Sequence, residues 1–233
     1  PDAAVNSPPC MPAEALFGRP LPRWKRAMDV TGALIGLILL APLFAALALY
    51  VKIASPGPVL FSQERVGFRG FPFRMWKFRT MRVHADTAIH RRHVTELIQG
   101  NGVCRGDVQR PMVKLEYDPQ LIPFARLLRS LCLDELPQLF NVLCGEMSLI
   151  GPRPAIPYEV EAYAAWHAAR FDCVPGMTGL WQVSGKNRLT FHEMVRLDIR
   201  YARTFSLWSD LWILLKTLPT VGSQFNDLLF GKE

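Results

Sequence analysis

Apolar residues in this chain fall into one long unbroken run and several shorter periodic ones. From Val30 to Val51 the chain is uncharged for about 22 residues, enough to enter or cross a bilayer. Asp29 and Lys52 bound the run. A fully buried core helix is the alternative, and the length speaks against it. Pro42 lies in the middle; its ring displaces the preceding turn and it cannot donate to the carbonyl of Ile38, so a kink is predicted. Ser55-Pro56-Gly57-Pro58 stops the helix. Val59 to Phe61 starts a strand, 67–70 offers a turn, and Phe71, Phe73 and Met75 alternate as a returning strand.

Further on, Leu136, Leu139, Phe140 and Leu143 recur at i, i+3, i+4, i+7 and share one helix face. Pro137 suits the first turn and Gly145 the end of that helix. Tyr158 to Phe171 reads as one helix, and Phe191 to Phe205 as an amphipathic one. In the stretch from Leu207 to Leu218, Trp208, Leu211, Trp212, Leu214 and Leu215 make a broad apolar surface. With Lys216 beside them, an interfacial helix and packing on the domain core both fit. Residues 1–22 are a proline-rich, flexible lead-in, and 222–233 a C-terminal tail. The apolar run begins too late for a signal peptide and lacks a cleavage site. The pattern as a whole is mixed α and β, dominated by helices.

Charge narrows the partners. A net charge of +7 and a pI near 9.4 call for an anion: nucleic acid, anionic lipid or a phosphorylated substrate. The mean hydropathy of +0.12 points to membrane contact. Arg19, Arg23, Lys25 and Arg26 precede the apolar run, and Lys52, Arg65, Arg69, Arg74, Lys77, Arg79 and Arg82 follow it. Positive charge marks the cytoplasmic side, so Lys25 and Arg26, with Asp29 at the boundary, read as membrane-flanking residues. The basic, aromatic hairpin would also suit single-stranded nucleic acid. Beside a membrane segment, lipid headgroups or a lipid phosphate are the expected anions, with no nucleic acid. Five scattered cysteines without a C-x-x-C pair argue against a zinc site or disulfide framework and for a reducing compartment. His90 and His93 lack partners at ligand spacing and read as surface residues.

The candidate chemistry centres on Asp134 and Glu135, adjacent carboxylates at a helix N-terminus, where N–H groups and the dipole favour negative charge. A simple N-cap with a first-turn acid is the plain alternative. Arg129 precedes them, and Arg153 is held in the stiff loop Gly151-Pro152-Arg153-Pro154. Carboxylates can hold Mg²⁺ or attack phosphorus, and guanidinium groups bind phosphate oxygens bidentately. The glycine-punctuated block from Val174 to Asn187, which includes Gln182 and Lys186, is the kind of loop that lets backbone approach a ligand closely. Asp198 reads equally as a solvated helix position or a site residue.

Leu133-Asp134-Glu135-Leu136-Pro137-Gln138-Leu139, Asn141-Val142-Leu143 and Gly151-Pro152-Arg153-Pro154 together resemble the bacterial sugar transferases, the monotopic phosphoglycosyl transferases that act on polyprenyl phosphate. The hairpin residues Gln63, Arg65, Gly67, Gly70 and Phe73, the block from Lys77 to Met81, and Leu197-Asp198 also match, so the resemblance covers about residues 23 to 221. It implies a re-entrant membrane helix over 23–54 that turns at Pro42, with a short β-hairpin and interfacial amphipathic helices around a small catalytic domain over 55–221. That domain would lie on the cytoplasmic face of the bacterial inner membrane.

The resemblance implies transfer of a sugar 1-phosphate from a UDP-sugar to polyprenyl phosphate, through a covalent intermediate on Asp134. Mg²⁺ would lie near Asp134 or Glu135, and Arg153, Arg129, Lys186 and Gln182 would contact substrate phosphates. The chain departs from the family at Ala41, Gln120, Ile122, Ala125, Cys132 and Lys186, where the family usually has Ser, Arg, Thr, Gly, Ser and Arg. A catalytically silent membrane scaffold of the same fold is the other reading, and a homodimer is left open.

Overall fold

The structure, a computed structural model, describes residues 21–82, 95, 98, 120–185 and 189–230. Residues 1–20 of the predicted lead-in, His90, His93 and Lys186 lie outside the described residues. Helix α1 spans Arg23–Ala54, and its 32 residues run helical through Pro42. At about 1.5 Å per residue it is about 48 Å long. Among the described residues it is the one helix long and apolar enough to cross a membrane. Ile38, Leu39 and Ile53 are each at least 72% exposed, so much of its surface needs an apolar covering outside the chain.

The first turns of α1 are fastened into the protein. Lys25, Arg26 and Asp29, read as membrane-flanking charges, each have partners within the protein. Lys25 is fully buried and donates to Asp210 Oδ2 at 2.6 Å, Tyr201 OH at 3.0 Å and Ile150 O at 3.0 Å. Arg26 donates to Val142 O and Leu143 O, each at 2.6 Å. Asp29 accepts from Ser148 Oγ and Leu149 N, each at 2.9 Å. A buried charge needs such partners to be tolerable, and a headgroup flank would not supply them. Small residues bring the helix close: a Cβ at Gly32 would meet Leu149 Cδ1 at 2.6 Å.

Strands β1 (Leu60–Val66) and β2 (Pro72–Phe78) form the predicted antiparallel hairpin, in register from Leu60 opposite Phe78 to Val66 opposite Pro72. Phe73, Met75 and Phe78 face the core, whereas Phe71 stands exposed before β2 starts. Helix α2 (Ala125–Ser130), a 3₁₀ turn (Leu133–Glu135) and helix α3 (Gln138–Cys144) follow. Gly145 ends α3 with φ 85°, as a C-terminal glycine should.

The buried face of α3 differs from the predicted stripe. Phe140 is exposed, while Gln138 and Asn141 are buried with Leu139 and Val142. Asn141 decides this. Its amide donates to Arg74 O (2.7 Å) and Glu146 Oε2 (2.6 Å) and accepts from Trp76 N (3.1 Å), tying α3 to the edge of β2.

A second, two-stranded sheet pairs β3 (Ser148–Ile150) in parallel with β4 (Gly176–Thr178). Between them the predicted single helix is two pieces, α4 (Pro157–Glu161) and a 3₁₀ helix (Ala165–Asp172), separated by an extended Ala164. Helices α5 (Leu180–Val183), α6 (Phe191–Thr204) and α7 (Leu207–Phe230) complete the chain. Thr190 and Glu193 cap α6 reciprocally. Helix α7 continues through Pro219 to Phe230, so the expected tail over 222–233 is helical as far as it is described. Ile213 of α7 is buried, while Trp208 (80%), Leu215 (71%) and Leu218 (74%) are bare.

Candidate active site

Asp134 and Glu135 sit in the 3₁₀ turn between α2 and α3. Cys132 opens this turn at φ 55°. Because β2 is bound edgewise to α3 through Asn141, Lys77 comes down beside the pair and its Nζ lies 2.6 Å from Glu135 Oε1. Asp134 is buried. Burial pushes its carboxyl up to about 6; Lys77 opposes the shift, Glu135 adds to it, and Arg129 opposes it. The rise shows that two cations do not fully compensate the lost solvation. Arg129, at the end of α2, is steered by donating from Nε to Thr80 Oγ1 at 3.0 Å.

Arg65 ties the hairpin to the Gly151–Pro154 loop. Arg65 of β1 is buried and donates to Pro154 O at 2.9 Å. Burial lowers Arg65 to about 10; Arg153 pushes it the same way, while Glu159 and Glu135 oppose. Arg65 is therefore within electrostatic reach of both Arg153 and Glu135, and links the carboxylate pair to the proline loop. Arg153 remains part-exposed, with Nη2 3.9 Å from Glu159 Oε1. Glu159 itself is occupied by the N–H of Ile156.

Beneath the loop, Arg170 donates to Arg153 O (2.9 Å), Tyr163 OH (2.8 Å) and Asp198 Oδ2. Both Arg170 and Asp198 are fully buried. This settles the two readings of Asp198: it is neither solvated nor in the open site, but holds the guanidinium that holds the Arg153 backbone.

The glycine block is also corrected. A Cβ at Gly176 would lie 2.0 Å from Gly151 N, one at Gly151 2.4 Å from Val174 O, and one at Gly179 2.3 Å from Gly151 O. These glycines let backbone approach backbone where β3 and β4 pair, rather than approach a ligand. Gln182, expected at substrate phosphate, donates to Met177 O at 3.2 Å.

The structure thus sets Asp134 and Glu135 beside Arg129 and Lys77, with Arg65 within electrostatic reach of both Glu135 and Arg153. Sequence reasoning left Lys77 and Arg65 within a basic hairpin whose members looked alike. The signal that could have singled them out is strand alternation, because register decides which basic residues turn inward. Arg65 and Arg79 are buried, while Arg74 is exposed. Among the described residues no three His, Cys, Asp or Glu converge as a metal cluster. A carboxylate pair facing cations still suits Mg²⁺, which takes one or two carboxylates together with substrate phosphates.

Comparison with known proteins gives a concordant result. The family model described as bacterial sugar transferase matches residues 21–224. A galactosyl transferase, CpsE, of Streptococcus agalactiae is 42% identical over 199 residues, covering 84% of this chain and 42% of the relative. The exopolysaccharide production protein ExoY of Rhizobium meliloti is 37% identical over 219 residues, covering 94% of each. A UDP-glucose:undecaprenyl-phosphate glucose-1-phosphate transferase of Caulobacter vibrioides is 39% identical, covering 88% of this chain and 73% of the relative. The chain therefore spans less than half of the streptococcal protein and nearly all of the rhizobial one.

Proposed function

We propose that this chain, which belongs to the bacterial sugar transferase family, transfers a sugar 1-phosphate from a UDP-sugar to polyprenyl phosphate. The observation that carries the reading is a buried carboxylate, Asp134, facing Lys77 and Arg129 and joined through Arg65 to Arg153. The name of the relative from Caulobacter, a UDP-glucose:undecaprenyl-phosphate glucose-1-phosphate transferase, supports the substrate classes.

In the first step an Asp134 oxygen bonds to the phosphorus that carries the sugar. The bond from that phosphorus to the bridging oxygen breaks, and UMP leaves with the electron pair. In the second step an oxygen of the lipid phosphate attacks the same phosphorus, and the Asp134 carboxylate departs. Both steps bring anion to anion, so they need fixed positive charge that is already in place. Lys77 neutralises Glu135, Arg129 stands beside Asp134, and Arg153, its backbone held by Arg170 and its side chain 3.9 Å from Glu159, turns its fork onto phosphate oxygens. Asp134 and Glu135 would hold Mg²⁺, which when bound screens the charge on the diphosphate.

The membrane arrangement belongs to the same proposal. Helix α1 enters one leaflet and returns at Pro42, leaving both ends and the catalytic domain on the cytoplasmic face. Trp208, Trp212 and Leu215 of α7 rest at the headgroup boundary. Cysteines placed at residues 22 and 55 should label from the same side; labelling from opposite sides would replace re-entry by a span.

The reaction is tested with a panel of UDP-sugars and polyprenyl phosphate, following UMP and then lipid product. Donor labelled in the sugar phosphate should leave label on the wild-type polypeptide and none on Asp134→Asn. Lipid product formed at wild-type rate by Asp134→Asn would remove the proposed nucleophile.

A further inference from the structure

The 3₁₀ helix Ala165–Asp172 and α6 enclose an open groove of about 490 Å³, lined by Trp166 and Ala169 from one and Arg196, Ile199 and Arg203 from the other. The inner faces of the same two elements carry the Arg170–Asp198 pair. The groove thus lies on the opposite face of the elements that support the Arg153 loop, and none of its lining belongs to the catalytic site described above.

Its chemistry is composite. Trp166 is more than one-third exposed. The Arg196 guanidinium stands 5.9 Å from the centre of the Trp166 ring, and His192 stacks on that ring at 5.8 Å. Ala169 and Ile199 supply the apolar part of the lining beside Trp166. Arg196 and Arg203 are exposed, and among the described residues neither forms an ion pair. Glu193, one turn before Arg196, is engaged by Thr190 and also interacts electrostatically with Arg196. Seven residues of α-helix separate the two guanidinium stems by about 10 Å along the axis. A lone phosphate would reach one of them. A planar ring followed by two linked phosphates spans both.

The geometry points to a second nucleotide site: the groove between the 3₁₀ helix and α6 binds a nucleoside diphosphate, its base against Trp166 and its phosphates between Arg196 and Arg203. Binding there braces the elements that carry Arg170 and Asp198. The inference concerns equilibrium binding and does not need the transfer reaction to occur, so each can fail without the other.

The test uses the full chain in nanodiscs of zwitterionic lipid, titrated calorimetrically with UDP, UMP and inorganic phosphate. Wild type should bind one more equivalent of UDP than Trp166→Ala or Arg203→Glu. Arg203→Lys, which keeps the charge, should retain that equivalent with affinity reduced by about tenfold. All three variants should transfer sugar phosphate within about twofold of wild type when UDP is dilute, because none of these residues touches the catalytic centre. Equal UDP stoichiometry in wild type, Trp166→Ala and Arg203→Glu would overturn the proposal. So would displacement of the extra equivalent by equimolar inorganic phosphate. A third refutation would be unchanged UDP binding in Arg203→Glu together with lost adhesion to vesicles containing phosphatidylglycerol, which would make the groove a lipid contact.

Discussion

Asp134→Asn should make this protein more stable while it silences the chemistry. The buried carboxyl stands at about 6 against an ordinary 3.8, because burial outweighs Lys77 and Arg129. At about 1.4 kcal/mol for each tenfold change in proton affinity, the ionised form carries a penalty of about 3 kcal/mol in the folded state, an upper figure. The sign follows from proton uptake. Between pH 3.8 and about 6 the folded protein binds more protons at this position than the unfolded chain. Stability therefore falls as pH rises through that window, and the whole penalty stands above it.

Asparagine has nearly the same shape and no charge. At pH 8 the variant should gain up to about 3 kcal/mol, or about 6 to 12 °C in midpoint for a chain of this size. At pH 5, where most of the folded carboxyl is protonated, the gain should shrink to about half. Thermal unfolding of both proteins in one detergent at the two pH values measures it, and UMP release is followed on the same samples. An Asn variant that is no more stable than wild type at pH 8, or a gain independent of pH, would refute the electrostatic account of this site.

The remaining predictions concern the supports of the site. Asp198→Asn leaves the Arg170 guanidinium buried without its counter-charge. It should cost about 3 to 5 kcal/mol and lower kcat more than it raises KM, because the Arg153 loop loosens; unchanged midpoint and kcat would place the support elsewhere. Gly176→Ala puts a Cβ 2.0 Å from Gly151 N, so the β3–β4 pair should part and protease sensitivity between residues 148 and 178 should rise. Lys25→Met leaves the buried Asp210 without its counter-charge, with the Tyr201 hydroxyl still donating to it, and should cost about 3 to 5 kcal/mol. The double change Lys25→Met, Asp210→Leu should recover much of that loss, and an equal loss in both would mean the pair is not the fastening. Transfer by wild type should fall as pH drops through about 6, the value at which Asp134 takes up its proton, and a flat profile from pH 5 to 8 would contradict an ionised nucleophile.

Much of this architecture was legible along the chain because it depends on near neighbours. The length of α1 follows from an uncharged apolar run, the hairpin from alternation on either side of a turn, and the end of α3 from Gly145. The carboxylate pair and Arg153 stood out by motif. The joining of these parts was not legible. Lys25 meets Asp210 across 185 residues and Arg65 meets Pro154 across 89, and nothing local marks which distant groups these cations meet.

Periodicity reports only which residues share a face, so it assigned Phe140 to the core and missed Asn141, whose burial is compensated by β2 backbone groups distant in sequence. The glycines of the second sheet likewise carry no mark of what they approach. The sequence by itself determined which elements exist and which groups could do chemistry, since backbone preference and motif are short-range. The tertiary structure alone decided which charges are buried and against what, because desolvation and its compensation depend on partners that only folding brings together.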